Sequence, residues 1–181
     1  MKSNPALVRC LLLVALLAWV GSAVGQNPSD PVAVGQIVRI QSRLLKHPRS
    51  LRISKPNGYD EGSERYPVLY LLDGESNFEF TAAIVRFLAD NERIPEMIIV
   101  AVDSGDVAQR THDLTPPTQK EVENRFSPGN GGADDFLAFM SDELLPFVER
   151  NYRTRPYRIL IGHSFWWTIR TPRSRDKIDA V

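Results

Sequence analysis

A serine hydroxyl becomes a useful nucleophile when it stands on a sharp strand-to-helix turn, with a histidine to take its proton and backbone N–H groups to receive the charge of an oxyanion. Gly162-His163-Ser164-Phe165 supplies four of the five positions of G-x-S-x-G, the pattern of such a turn, and follows directly on the apolar run Tyr157 to Ile161 (YRILI). Ser164 is therefore a candidate nucleophile, set against the plainer alternative of an ordinary turn serine. The remaining chemistry-bearing groups are weaker. Gly129-Asn130-Gly131-Gly132 before a helix has the backbone to cradle a phosphate but lacks the Lys and Ser/Thr of a P-loop, so a flexible helix entry is the simpler expectation. No spaced His/Asp cluster suggests a metal, and no cofactor is implied.

The elements that must position Ser164 can be read from period and punctuation. In Gly35 to Leu45 and Ser50 to Ser54, apolar and polar residues alternate, which predicts two half-exposed antiparallel strands joined at His47-Pro48. Asn57 to Arg65 is a polar loop. Val68 to Leu72 (VLYLL) and Met97 to Val102 (MIIVAV) are continuous apolar runs of the kind buried on both faces of a parallel sheet, and Tyr157 to Ile161 reads as a third core strand.

Between them, Phe78 to Asn91 predicts an amphipathic helix with Phe80, Ile84, Phe87 and Leu88 against the sheet. Ala133 to Tyr152 predicts another, with Phe136, Phe139, Met140, Leu144, Phe147 and Val148 buried and a kink at Pro146. Asp103 to Gly132 reads as a long irregular region around Arg110-Thr111-His112-Asp113-Leu114-Thr115-Pro116-Pro117, either functional or a surface excursion. Alternation of strands and helices after an antiparallel entry specifies an α/β fold with a mostly parallel sheet.

Composition narrows the function classes. The chain has 22 Lys+Arg against 22 Asp+Glu and 43% hydrophobic residues, which disfavours nucleic-acid binding and disorder. Lys2 and Arg9 precede the apolar run Cys10 to Val20, and small residues Gly21 to Gly25 follow it, the layout of a cleaved signal peptide over residues 1–25. The run is too short for a stable membrane span, so export to the periplasm or medium is the expectation. Cleavage would remove Cys10, the single cysteine, and leave a mature chain without disulfides or thiolate chemistry. Residues 26–34 would be a linker.

Tyr66 to Gly74, Ile94 to Val100, Arg110 to Pro117, Gly131 to Asp134, Tyr152 to Tyr157 and Gly162 to Phe165 together resemble the esterase family of α/β-hydrolases, which includes siderophore esterases, feruloyl esterases, esterase D type enzymes and mycolyl transferases. The exported, siderophore-esterase-like branch is the nearest match. The resemblance covers about residues 35–165 and implies the N-terminal portion of an α/β-hydrolase fold. It implies Ser164 as nucleophile and the Phe165 N–H as one oxyanion donor. The second donor would lie in the loop after the Val68 to Leu72 strand, around Gly74 and Glu75. It further implies a small-molecule or siderophore-like ester as substrate. Asp73 is left as a strand-ending turn residue.

The sequence then departs from that family. Trp166 stands where the pattern has glycine, and no histidine follows Ser164, although the family order is serine, acid, histidine. Asp176 and Asp179 lie too near the turn to be the acid, and His47, His112 and His163 read as surface or loop residues. Phe165 to Arg173 (FWWTIRTPR) can be encoded as TTT TGG TGG ACT ATT CGC ACT CCA CGN; removal of one T yields F-G-G-L-F-A-L-H, which restores both glycines. Residues 166–181 are accordingly expected to be an out-of-frame tail. A serine carboxylic-ester hydrolase lacking its acid and histidine is one expectation for this chain, and a catalytically inactive product or binding fragment is the other.

Overall fold

The computed structural model describes residues 32–117 and 129–163. The proposed signal peptide, most of the proposed linker, Ser164, Phe165 and the proposed tail lie outside the described residues. In chain order the elements are β1 (Gln36–Gln41), β2 (Pro48–Ser54), β3 (Tyr66–Leu72), α1 (Gly74–Asp90), β4 (Ile98–Val102), α2 (Val107–Leu114), α3 (Ala133–Phe139), a π-helical turn (Met140–Leu144), α4 (Leu145–Asn151) and β5 (Thr154–Ile161).

The strands form one sheet in the order β1-β2-β4-β3-β5. β1 and β2 pair antiparallel, β2 runs antiparallel to β4, and β3 lies parallel to both β4 and β5. Every residue of β3 and β4 is buried, which is why both read as unbroken apolar runs rather than alternating ones. On one face Leu51, Ile53, Val68, Tyr70 and Val100 pack with Phe136, Phe139, Leu144 and Val148 of α3 to α4. On the other, Leu69, Leu71, Ile99 and Ala101 pack under Phe78, Ala82 and Val85 of α1. The α/β class, the antiparallel entry and the parallel central strands are as the sequence predicts.

Four local features differ. Helix α1 starts at Gly74 rather than Phe78 and buries Phe78, Thr81, Ala82 and Val85, leaving Phe80, Ile84 and Phe87 at 55%, 53% and 66% exposure. The helix carries two apolar stripes at helical spacing, and close approach selects the one with small residues. A Cβ on Gly74 would meet Asp103 Oδ1 at 2.8 Å and the Ala101 carbonyl carbon at 3.1 Å, so the helix entry lies directly on β4. With that end fixed, Ala82 turns inward and the bulkier stripe outward.

The Asp103 to Gly132 region is not structureless. It contains α2, capped by the Asp106 carboxylate, which accepts the Gln109 N–H at 2.8 Å. The helix ends at Thr115, extended at φ −126° ahead of Pro116, as a residue before proline prefers.

The kink expected at Pro146 takes the form of the π-helical turn just ahead of it. Proline has no N–H for the carbonyl four residues back, and widening the preceding turn accommodates that loss. Lastly, β5 is not a fully buried strand. Its only partner among the described residues is β3, and Tyr157 and Ile161 are 63% and 42% exposed, so it forms the margin of the described sheet.

Candidate active site

Because β3, β4 and β5 are parallel, their carboxyl ends share one edge of the sheet, the edge at which open α/β sheets bind ligands. Three short segments emerge there: Asp73 after β3, Asp103-Ser104 after β4, and Gly162-His163 after β5.

Asp73 is buried and held at φ 57°, ψ 48°, a left-handed conformation that aspartate tolerates better than most residues and that concentrates at functional sites. Its carbonyl accepts the Ser76 and Asn77 N–H groups and so starts α1. Its carboxylate does not cap the helix. Instead it receives Arg110 Nε at 2.6 Å, Arg110 Nη2 at 2.7 Å and the Ser104 hydroxyl at 2.7 Å. The fork geometry makes the arginine contact bidentate, the strongest form of such a pair.

Arg110 Nη2 also donates to the carbonyl of His163 at 3.1 Å. One guanidinium on α2 therefore bridges the end of β3 to the residue immediately before Ser164. Neighbouring contacts lock the setting: Glu75 accepts the Ser104 N–H at 2.9 Å, and Arg52 holds Asp103 through Nε at 2.8 Å.

Burial raises the Asp73 carboxyl, but the hydrogen bonds from Arg110 and Ser104 outweigh it and hold the group below its ordinary value of 3.8; the same contact raises Arg110. A depressed carboxylate adds stability above its unfolded value, and that stability is lost as pH falls through the lower folded value. In chemical denaturation, Asp73→Asn is expected to cost about 1.5–3 kcal/mol at neutral pH, the range for hydrogen bonds to charged groups. The difference from wild type should persist down to about pH 4 and close below it; a difference independent of pH would contradict the ion pair.

The site residues expected from sequence are placed unevenly. Ser164 and Phe165 lie outside the described residues. Gly74 and Glu75 are the first two residues of helix α1 rather than part of a loop, because Asp73 in its left-handed conformation starts the helix at once. Their amides belong to a helix N-terminus, where the first N–H groups have no intrahelical acceptor. His112 is exposed on α2, His47 lies in the turn before β2 beside Gln109, and His163 is exposed. The Gly131, Gly132 and Ala133 amides donate to the carbonyls of Thr115, His112 and Thr115, so this glycine-rich entry is spent on backbone and not on a phosphate.

Sequence reasoning missed the Asp73–Arg110 pair. The signal that could have found it is the Asp106 cap, which turns Arg110-Thr111-His112-Asp113 into a helix and places Arg110 one turn after the capping residue. Among the described residues, no cluster of three or more His, Cys, Asp or Glu could hold a metal, and no helix is long and apolar enough to cross a membrane.

Comparison with known proteins agrees with this architecture. The solved structure of an IroE-like serine hydrolase from Shewanella oneidensis superposes with a TM-score of 0.67 at 38% identity, over 75% of this chain and 44% of that one. The ferri-bacillibactin esterase BesA of Bacillus subtilis is 31% identical over 112 residues, 55% of this chain and 39% of its own length. A siderophore enterobactin esterase of Emericella nidulans is 26% identical over 163 residues, 81% of this chain and 54% of its own. The chain thus spans about half the length of the curated relatives it matches. Residues 42–165, well over half the sequence, match the family described as "Putative esterase", and the chain belongs to that esterase family of α/β-hydrolase type.

Proposed function

We propose that this chain carries the nucleophile-bearing portion of a serine carboxylic-ester hydrolase acting on siderophore-type esters. The observation that supports it most is the Arg110 guanidinium, anchored by Asp73 and bonded to the carbonyl of the residue before Ser164. Anchoring the residue before the nucleophile to the end of β3 is preorganisation of the kind acyl transfer uses, since the donors must already face the substrate carbonyl oxygen on which negative charge develops. Ser164 Oγ adds to that carbonyl as a general base takes its proton, the oxyanion collapses as the base gives that proton to the departing alcohol, and a water deprotonated by the same base then releases the acid and restores the Ser164 hydroxyl. The Phe165 N–H and the first-turn amides at Gly74 and Glu75 are the candidate donors to the oxyanion, while Arg110 is engaged by Asp73 and the His163 carbonyl. The siderophore class is suggested by the activities named for the relatives.

Residues 165–181 contain no histidine, the residue type that takes the serine proton in such sites. That observation favours a second proposal: a one-base insertion after Phe165 puts residues 166–181 out of frame, and the chain as it stands is inactive or binds ester without turning it over. Residues 1–25 would direct the chain out of the cytoplasm by a cleaved signal peptide.

A fluorophosphonate probe separates the two. Covalent labelling of the peptide containing Ser164, abolished in Ser164→Ala, supports a competent nucleophile; absence of labelling in this chain together with labelling in a frame-restored one supports the inactive product. Labelling in neither would overturn the esterase proposal. Sequencing the gene across the Phe165 to Arg173 codons tests the frame directly, and a codon run incompatible with the one-base change would end that idea.

A further inference from the structure

Arg49 is a buried cation that no step of ester hydrolysis uses. It lies near the start of β2 at 2% exposure. Its Nη1 donates to the carbonyls of Asp103 at 3.2 Å and Ser104 at 3.3 Å, and its Nη2 forms an ion pair with the buried carboxylate of Asp113. Its guanidinium also lies 5.9 Å from the centre of the Phe136 ring, at the start of the neighbouring helix α3. Burial pushes it down to about 10, which leaves it charged at neutral pH.

The partners of Arg49 are the two walls of the Arg110 cradle. Ser104 is the residue whose hydroxyl donates to Asp73. Asp113 stands three residues after Arg110 on α2, on an adjacent line of the same helix. The contacts close a ring: Arg49 to Ser104, Ser104 to Asp73, Asp73 to Arg110, Arg110 through the α2 backbone to Asp113, and Asp113 back to Arg49. A ring of this kind fixes both the depth of α2 and its rotation about its own axis. The C-terminal half of α2 is held by buried Thr111 and Leu114 and by the Gly131, Gly132 and Ala133 N–H groups on the His112 and Thr115 carbonyls, and the Asp113 end adds the charged restraint one turn from Arg110.

Energetics argue against a purely stabilising purpose. A buried ion pair gains little or nothing over a well-packed apolar pair of similar volume, because desolvation offsets the attraction. Removing one partner is costly, whereas removing both is often neutral. We propose that Arg49 and Asp113 are a positioning pair, which holds α2 in the one rotation that keeps Arg110 on Asp73 and on the carbonyl preceding Ser164. The proposal rests on the esterase reading only for its catalytic consequence; its structural content is the restraint of Arg110.

The test is the double replacement Arg49→Met/Asp113→Leu in the full chain, followed by the Nε–H resonance of Arg110 in nitrogen-15 NMR, assigned through Arg110→Lys. The expected result is a cooperative thermal transition, together with at least tenfold faster solvent exchange of the Arg110 Nε–H. Phosphonylation of Ser164 should slow about tenfold in the double variant, and should not slow further when the double replacement is added to Arg110→Ala.

A folded double variant that retains the protected Arg110 signal would overturn the proposal. So would additive losses on the Arg110→Ala background. Should the double variant not fold, Asp113→Asn, which keeps the side-chain shape and removes the charge, is read by the same resonance: faster exchange supports the proposal and unchanged exchange refutes it. Failure of both this chain and the frame-restored chain to label at Ser164 counts against the esterase reading and leaves the Arg110 resonance test intact.

Discussion

Replacement of Arg110 by alanine is expected to slow acylation of Ser164 by about 10²-fold, the scale on which a misplacement of about 1 Å in the reacting geometry acts. The magnitude follows from where the guanidinium lies. It is bound at two points by Asp73 and donates to the carbonyl of His163, so it ties the residue before Ser164 to the end of β3. Lysine should restore little of the lost rate, because an ammonium cannot reproduce the two-point contact with the carboxylate.

The measurement is the second-order rate of phosphonylation at Ser164, compared across wild type, Arg110→Lys and Arg110→Ala, with p-nitrophenyl acetate turnover alongside where a base is present. Phosphonylation reports the nucleophile and its donors without requiring deacylation. Equal rates in all three chains would remove Arg110 from the chemistry and leave the Phe165, Gly74 and Glu75 amides as the donors to test next.

The largest effect on stability is expected at Phe139. Its side chain is fully buried at the end of α3, 5.9 Å centre to centre from Phe136, in the cluster that joins α3 to α4 with Leu51, Tyr70 and Val100 of the sheet. Phe139→Ala should cost about 3–5 kcal/mol, combining lost transfer energy with the cavity left behind. The adjacent π-helical turn limits relaxation, since Met140 and Leu144 are themselves buried and cannot move inward without breaking their own contacts. For a body of this size such a loss is a large part of the whole folding free energy. Urea unfolding followed by far-ultraviolet circular dichroism gives the number; a loss below 1 kcal/mol would mean that this face of the sheet is not the main core.

The strands were legible from sequence because each pattern has one physical cause. VLYLL and MIIVAV are apolar at every position, which only a strand covered on both faces requires, and both are buried throughout. The α1 stripe was misassigned because FEFTAAIVRFL holds two apolar lines, and hydrophobicity alone ranks Phe80, Ile84 and Phe87 above Thr81 and Ala82. The deciding quantity was steric, the absence of a Cβ at Gly74 against Ala101, and periodicity does not carry it.

Helix α2 was hidden by length, since eight residues among Pro, Gly and Asp leave little periodic signal. The serine turn was visible as a motif, whereas the pairing of Asp73 with Arg110 joins residues 37 apart in sequence. Neither looks exceptional alone: an aspartate ending a strand reads as a turn and an arginine in a loop reads as solvated. Only the fold, by bringing the ends of β3 and β5 to one edge with α2 beside them, makes them a pair.

The outward line of Phe80, Ile84 and Phe87, together with Tyr157 and Ile161 at the sheet margin, has a calorimetric consequence. Apolar surface already hydrated in the folded state contributes nothing new to the heat capacity on unfolding, so the increment per residue falls below the usual ~12–15 cal/mol/K. A smaller increment flattens the dependence of folding free energy on temperature. The folding free energy of the described body would then vary less steeply with temperature than that of a body burying those five side chains.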